Sequence, residues 1–253
     1  MTMAAGTAKD LTVIVPCYRE SSHIEKSAPH LLWTLRGFDL DYEVLFIDDV
    51  SPDDTRERLA RVLEPYPEAR LILNEVNLGR GATVEKGIRL SNAKVVGFLD
   101  VDLSTQPIYV GHLARYILDD VADVATCQRI YKIDVRVLHL IFHRILMSYG
   151  YRHFSSRYLQ HHLLDTETGS KFFDRAKILP VLDRIESKHW FWDTEVMVYS
   201  QLMGLRIVEV PSIYIRRPEK PTTVRVLSDS WTHLKSAIRL KRKMRKMAEL
   251  KKR

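Results

Sequence analysis

Two cysteines in 253 residues are too few to staple a fold, and Cys17 and Cys127 stand far apart beside predicted strands. Free, buried thiols in a reducing cytoplasm are the expectation. No run approaches the roughly 18 apolar residues that would cross a bilayer. The longest relevant stretch, Val137 to Leu146, is broken by His139, His143 and Arg144. The first ten residues lack the charged start, apolar middle and small-residue cleavage site of a secretory leader, and are expected to be disordered. Internal repeats and low-complexity linkers are absent too. What remains is a chain that is 45% hydrophobic, enough for one substantial core with an appendage.

Charge is unevenly spread. Lys235 to Arg253 holds ten Lys/Arg against one Glu, a balance of +9, while the whole chain is +7. Residues 1–234 therefore carry −2. A basic tail fits anionic lipid headgroups. Nucleic acid is not an expected partner, because only the tail would support it.

The N-terminal half alternates. Leu11–Pro16, Glu43–Ile47, Arg70–Leu73 and Val95–Leu99 read as short buried strands, followed by Val121–Thr126. Helices are expected near Ser22–Arg36, Asp53–Leu63 and Gly81–Ser91. That alternation predicts an α/β fold with a largely parallel sheet and helices on both faces. Its ligand belongs outside the carboxyl ends of the strands. Tyr18 and Glu20 follow the first strand, Asp48 and Asp49 the second, Asp100 and Asp102 the fourth. Folding alone gains nothing from collecting like charges there.

Asp100-Val101-Asp102 is the most informative of these. Alternate strand residues face one side, so an Asp-x-Asp that continues a buried strand aims both acids the same way. Such a pair repels itself unless a cation neutralises it. Mg2+ and Mn2+ take one or two carboxylates alongside substrate phosphates, so the reading is a metal–diphosphate site. The alternative is a pair of solvated loop acids. Asn77-Leu78-Gly79-Arg80-Gly81 precedes a helix but lacks the third glycine of a dinucleotide fingerprint. A phosphate contact and a plain tight turn both remain open there, with Arg80 placed to reach an anion. Val135, Leu138, Phe142, Ile145 and Leu146 fall on one helical stripe, either core or membrane-interfacial. His139 and His143 share a helix face, yet no Glu follows the first His as in zinc peptidases.

Several segments together resemble the family 2 glycosyltransferases of the GT-A fold, in particular the dolichol- and polyprenyl-phosphate sugar transferases. Val15-Pro16-Cys17-Tyr18-Arg19-Glu20 is similar to "VPxYNE", and Phe46 to Asp53 to "VDDGSxD". Asn77 to Gly87 is similar to "NxGKGxAxxxG", and Leu99 to Ser104 to "LDADLS". Asp165 to Phe173 is similar to "DxxxGFKxF", Phe191 to Glu195 to "FxFDxE", and Glu209-Val210-Pro211 closes the series.

The resemblance implies a Rossmann-like transferase domain over residues 11–227, with a C-terminal acceptor-side segment. Residues 228–253 would then form a basic amphipathic helix that associates with a membrane. It implies that Pro16, Tyr18, Glu20, Asp48, Asp49, Arg80 and Asp100 bind the nucleotide sugar. Asp100, Asp102 and Ser104 would surround Mg2+ or Mn2+. Arg129, Arg144, Ser148 and Lys171 would face an acceptor phosphate, and Asp193 and Glu195 would complete the catalytic set with Asp100, Asp102 and Arg129. The implied reaction is inverting transfer of a hexose, mannose before glucose, from GDP-mannose or UDP-glucose to a polyprenyl or dolichyl phosphate. The expected place is the cytoplasmic face of a membrane, with a separate membrane-anchor protein as a further partner. Alternatives are transfer to a hydroxyl of a glycan or lipid-linked sugar, and a non-catalytic nucleotide-sugar-binding protein. Val50 stands where the family pattern has glycine, so the turn after the second strand is expected to be less demanding in φ. Arg80 replaces lysine, and Ser170 replaces an aromatic.

Overall fold

The computed structural model of the protein describes residues 8–131, 138–215 and 226–250; the side chains of 138–148, 226–230, 248 and 250 lie outside the described residues. In chain order the elements are β1 (Leu11–Cys17), α1 (Ile24–Leu35), β2 (Tyr42–Asp48), α2 (Thr55–Leu63), β3 (Ala69–Leu73), α3 (Arg80–Leu90), β4 (Val95–Leu99) and α4 (Ile108–Leu118). They continue with β5 (Val124–Tyr131), α5 (Leu138–Leu159), β6 (Ser170–Asp174), α6 (Arg175–Leu182), α7 (Trp192–Leu202), β7 (Ile207–Tyr214) and α8 (Val226–Leu250). The seven strands form one sheet in the order β3-β2-β1-β4-β6-β5-β7. Only β6 runs against the rest, pairing antiparallel with both β4 and β5.

Covered faces explain the near-continuous apolar runs. β4, Val-Val-Gly-Phe-Leu, is buried throughout, as strands of a doubly covered sheet are. Along β1 the side chains divide between two cores. Leu11, Val13 and Val15 pack with α1, α2 and α4, while Ile14 packs with α3, α6 and α7 on the other face. Cys17 and Cys127 are buried, and neither is in a disulfide.

Three expectations need correction. The fifth strand is Val124–Tyr131, displaced from the expected Val121–Thr126, because Val121 closes the α4 turn through its amide to the Tyr116 carbonyl. The displacement carries Arg129 onto the strand itself. The basic C-terminal helix does form, but its apolar side is not spare. Ala237 and Leu240 are buried in the second core, with Met244 and Met247 packed against it. Among the described residues no helix is long and apolar enough to cross a membrane. The helical stripe expected around residues 135–146, like Arg144 and Ser148, has side chains outside the described residues.

The turn after β2 is the third. Val50 has φ +61°, in the left-handed region, as do Arg19 at +58° after β1 and Leu103 at +52° after β4. A β-branched residue there is strained, so the backbone has kept the glycine conformation after losing the glycine. All three strained residues follow strands at one sheet edge, and such strain collects at functional sites. Val50→Gly should raise unfolding free energy by about 1 kcal/mol. The check is a higher denaturant midpoint at unchanged m-value; no increase would mean the strain is relieved elsewhere.

Candidate active site

Because every strand but β6 points the same way, the ends of β1, β2, β4, β5 and β7 open onto one edge. β6 begins there, and the Asp100 amide donates to the Gly169 carbonyl just before it, at 2.9 Å. Gly169 has no room for a side chain: a Cβ would lie 2.1 Å from Asp100 Oδ2. The close approach fixes the half-buried Asp100 carboxylate.

Arg80 meets it from the first turn of α3. Its Nε and Nη2 donate to Asp100 Oδ1 at 2.9 and 2.7 Å, and its Nη1 donates to Asp193 Oδ2 at 2.6 Å. Lys171, fully buried on β6, donates to Asp193 Oδ1 at 2.9 Å and to the Thr168 carbonyl. Phe98 lies under both cations, with Arg80 4.9 Å and Lys171 5.3 Å from its ring centre; Trp190 covers Arg80 from another side. The result is a chain of alternating charge, Asp100–Arg80–Asp193–Lys171. Burial, and the nearby charges of Asp102 and Asp193, push the Asp100 carboxyl up against the pull of Arg80. Asp102, partly exposed, accepts from the Ser104 amide at 2.9 Å.

The loop from Asn74 to Gly79 is organised around Asp49. Its carboxylate accepts from Asn74 Nδ2 and the Leu78 amide through Oδ1, and from the Gly79 amide through Oδ2, at 2.7, 2.8 and 2.9 Å. Asn77 Nδ2 adds a bond to the Asp49 carbonyl. Gly79 has φ +88°, and a Cβ there would strike His189. This glycine amide therefore holds a carboxylate of the protein. Asp48 beside it is buried, with Oδ2 taken by the Ser51 amide and Oδ1 unpaired. Tyr18 is exposed at the end of β1, with Arg19 stacked on it at 5.5 Å. Glu20 is buried and Pro16 half-buried in the same corner, the Glu20 amide donating to Thr55 Oγ1.

Arg129 ends the opposite side of the edge. Its Nε and Nη2 grip Asp165 at 2.7 and 2.8 Å, which leaves Nη1 outside that pair. Arg152 of α5 donates to the same carboxylate. Burial opposes ionisation of Asp165, yet the two guanidiniums hold its carboxyl below the usual range. Tyr131, Tyr149 and Tyr214 line these cations: Tyr214 lies 5.8 Å from Arg129, and Arg152 lies 5.8 and 5.5 Å from Tyr131 and Tyr149.

The fold gathers Asp100, Asp102, Arg80, Asp193, Arg129 and Lys171 at one edge, with partners that the sequence did not indicate. Lys171, expected on an acceptor phosphate, is sealed in the core as the counter-ion of Asp193. Glu195 points away and accepts from the Glu186 and Ser187 amides at 3.4 and 2.9 Å. Arg152, Asn74 and the three tyrosines were not singled out. Asn74 sits at the end of β3 and was recoverable by position; Arg152 and its partner Asp165 show no local spacing signal.

The model for the family described as glycosyl transferase family 2 matches residues 12–179, well over half the chain and most of this edge. The chain belongs to glycosyl transferase family 2. Several relatives are named as glycosyltransferases. Glycosyltransferase AglD of Haloferax volcanii is 29% identical over 230 residues, 89% of this chain and 36% of that protein. Dolichyl-phosphate beta-glucosyltransferase of Dictyostelium discoideum is 26% identical over 211 residues, 79% of this chain and 64% of that protein. The chain spans less than two thirds of either relative's length. Glucosyl-3-phosphoglycerate synthase of Mycobacterium tuberculosis, solved with Mn2+, UDP and glucosyl-3-phosphoglycerate, superposes with a TM-score of 0.64. That match covers 92% of this chain and 78% of that one at 17% identity, a likeness of GT-A fold.

In this family 2 chain Asp193→Ala would strand a fully buried ammonium. Breaking a buried pair costs about 3–5 kcal/mol, so urea unfolding should show a loss of that size. A loss under about 1 kcal/mol would mean the chain of charges is not what holds the edge.

Proposed function

We propose that this glycosyltransferase moves a hexose, glucose ahead of mannose, from a nucleoside diphosphate sugar to the phosphate of a polyprenol, with inversion. The carrying observation is the pair of guanidiniums, Arg129 and Arg152, gathered on one edge with the Asp100–Asp102 pair. An edge with acids at one end and partly neutralised arginines at the other suits two anions brought together. Glucose ranks first because the Dictyostelium relative, and two from Trichomonas vaginalis, carry the name dolichyl-phosphate beta-glucosyltransferase.

The donor would lie over the ends of β1, β2 and β4. Tyr18 offers a face for the base, and the unpaired Asp48 Oδ1 is a buried acceptor for a nucleoside N–H or O–H. The four-member charge chain is internally neutral, and Asp102 stands beside it, partly exposed at the same strand end. An exposed carboxylate edge of hard oxygen donors at the presumed diphosphate end fits a divalent cation. Among the described residues no cluster of three or more His, Cys, Asp or Glu could hold one, so the diphosphate would supply the remaining ligands, as Mg2+ sites commonly arrange. Asp102 would hold Mg2+ or Mn2+ with Asp100 beside it, and the ion would act as a Lewis acid on the departing diphosphate; the neighbour was solved with either ion.

The acceptor phosphate needs no strong base, since it is ionised at neutral pH. Its difficulty is repulsion, which Arg129 Nη1 and Arg152 would offset by charge-assisted hydrogen bonds. A hydroxyl acceptor would need a base. Asp193 gives both oxygens to cations and Glu195 serves backbone amides, which supports the anionic acceptor. On α8, Lys235, Arg239, Arg242 and Lys246 line an outer groove with Ile238, and Lys235 stacks on the exposed Trp231. We place that face on an anionic cytoplasmic membrane surface, with a separate membrane anchor as a possible partner.

One incubation tests the whole reading: labelled UDP-glucose or GDP-mannose, Mn2+, and polyprenyl phosphate in anionic or neutral vesicles. Organic-soluble label should appear with UDP-glucose, faster on anionic vesicles, and fall at least about 100-fold in Asp102→Ala, a loss of roughly 2.7 kcal/mol of barrier stabilisation. Label transferred only to water-soluble hydroxyl acceptors would contradict the reading.

A further inference from the structure

Glu167 and His233 stand at the acceptor end, and the scheme above uses neither. Glu167 lies in the loop before β6, three-quarters buried, with Oε2 3.8 Å from Arg129 Nη2 and Oε1 3.6 Å from His233 Nδ1. Neither separation is a hydrogen bond, so the carboxyl sits against two nitrogens without being locked to either. His233 comes from α8. Its ring is wedged between Tyr151 of α5 and Phe191 at the start of α7, at 5.5 and 5.8 Å. The wedge fixes the ring and ties the basic helix to the active-site loop.

A carboxylate at this point has a cost for any phosphate approaching Arg129. Facing Glu167 are Arg129 from β5, Asp165 from its own loop, Lys171 from β6, Asp193 from α7, Tyr151 from α5 and His233 from α8. We propose that Glu167 is a proton-dependent gate on the acceptor and that His233 is its positioning residue, a role that rests on the phosphate acceptor proposed above. The neutral carboxyl donates a hydrogen bond to a phosphate oxygen beside Arg129, whereas the ionised carboxylate repels it. Burial pushes the Glu167 carboxyl up to about 7, Asp165 and Asp193 adding to the rise and Arg129 and Lys171 opposing it. The neutral form therefore persists into the physiological range and is lost as pH rises through it.

Calorimetric titration of the full chain with farnesyl phosphate, in the presence of UDP and Mn2+ from about pH 6 to 8.5, tests the gate. The phosphate's own second ionisation, with a pKa of about 6, is common to every variant and cancels in the comparison. Wild type and Glu167→Gln should bind alike at the acid end. Above neutrality Glu167→Gln should bind at least about fivefold tighter, because it cannot ionise. His233→Phe keeps the aromatic wedge and removes Nδ1, so the pH at which its affinity is lost should shift from the wild-type position while UDP affinity and Tm stay at the wild-type values. Parallel wild-type and Glu167→Gln curves, with farnesyl phosphate bound, would sink the gate alone. A His233→Phe profile identical to wild type would remove the positioning role. Wild type that binds UDP but no farnesyl phosphate at any pH would overturn the acceptor reading and the gate with it.

Discussion

Arg80 bridging Asp100 and Asp193 is the contact on which the rest of this structure depends. One guanidinium joins the end of β4 to the start of α7, and Lys171 extends the chain into β6. A planar donor fork can bind two carboxylates at once, which a lysine ammonium at this position would do less well. The four charges cancel internally. This makes burial of Lys171 tolerable, and Asp102 lies just outside the chain at the end of β4. Ionic chains of this kind add little stability compared with an apolar core; what they give here is a fixed direction for each carboxylate.

The acceptor end repeats the principle with the signs exchanged. Asp165 is buried between two guanidiniums and is itself anchored, through its amide, to Glu209 on β7. The cations are thereby aimed without being fully neutralised, since Arg129 keeps a terminal nitrogen out of the pair. α8 closes this end. Its inner face is part of the second core, and its outer face is a cationic stripe beginning at Trp231. The helix that meets the membrane in the proposed scheme is thus the helix that touches the active-site loop, through His233.

Much of this was legible in the sequence, for reasons that differ by element. β1, β2 and β4 are buried on both faces, so they read as unbroken apolar runs and their ends located the acids. β6 was not recognised as a strand: it has five residues, and Lys171 interrupts its apolar pattern. α4 carried no capping signal, and its N-cap residue, Pro107, makes no side-chain cap. At Val50 the residue type misled, because the turn kept the left-handed geometry that glycine would have supplied without strain. Lys171 and Asp193 were each found as candidates, but only the fold shows that they neutralise one another. Tertiary pairs such as Arg152–Asp165 leave no trace in spacing, and no periodicity reports them.

The central claim is that Arg80 ties up Asp100, so that Asp102 binds a divalent ion only together with a diphosphate. Electron paramagnetic resonance of Mn2+ titrated into the protein, with and without UDP, tests it most directly. Binding should tighten at least about tenfold when UDP is present, equivalent to roughly 1.4 kcal/mol, and the gain should vanish in Asp102→Ala. Mn2+ held as tightly without UDP, or a gain that survives Asp102→Ala, would contradict the account.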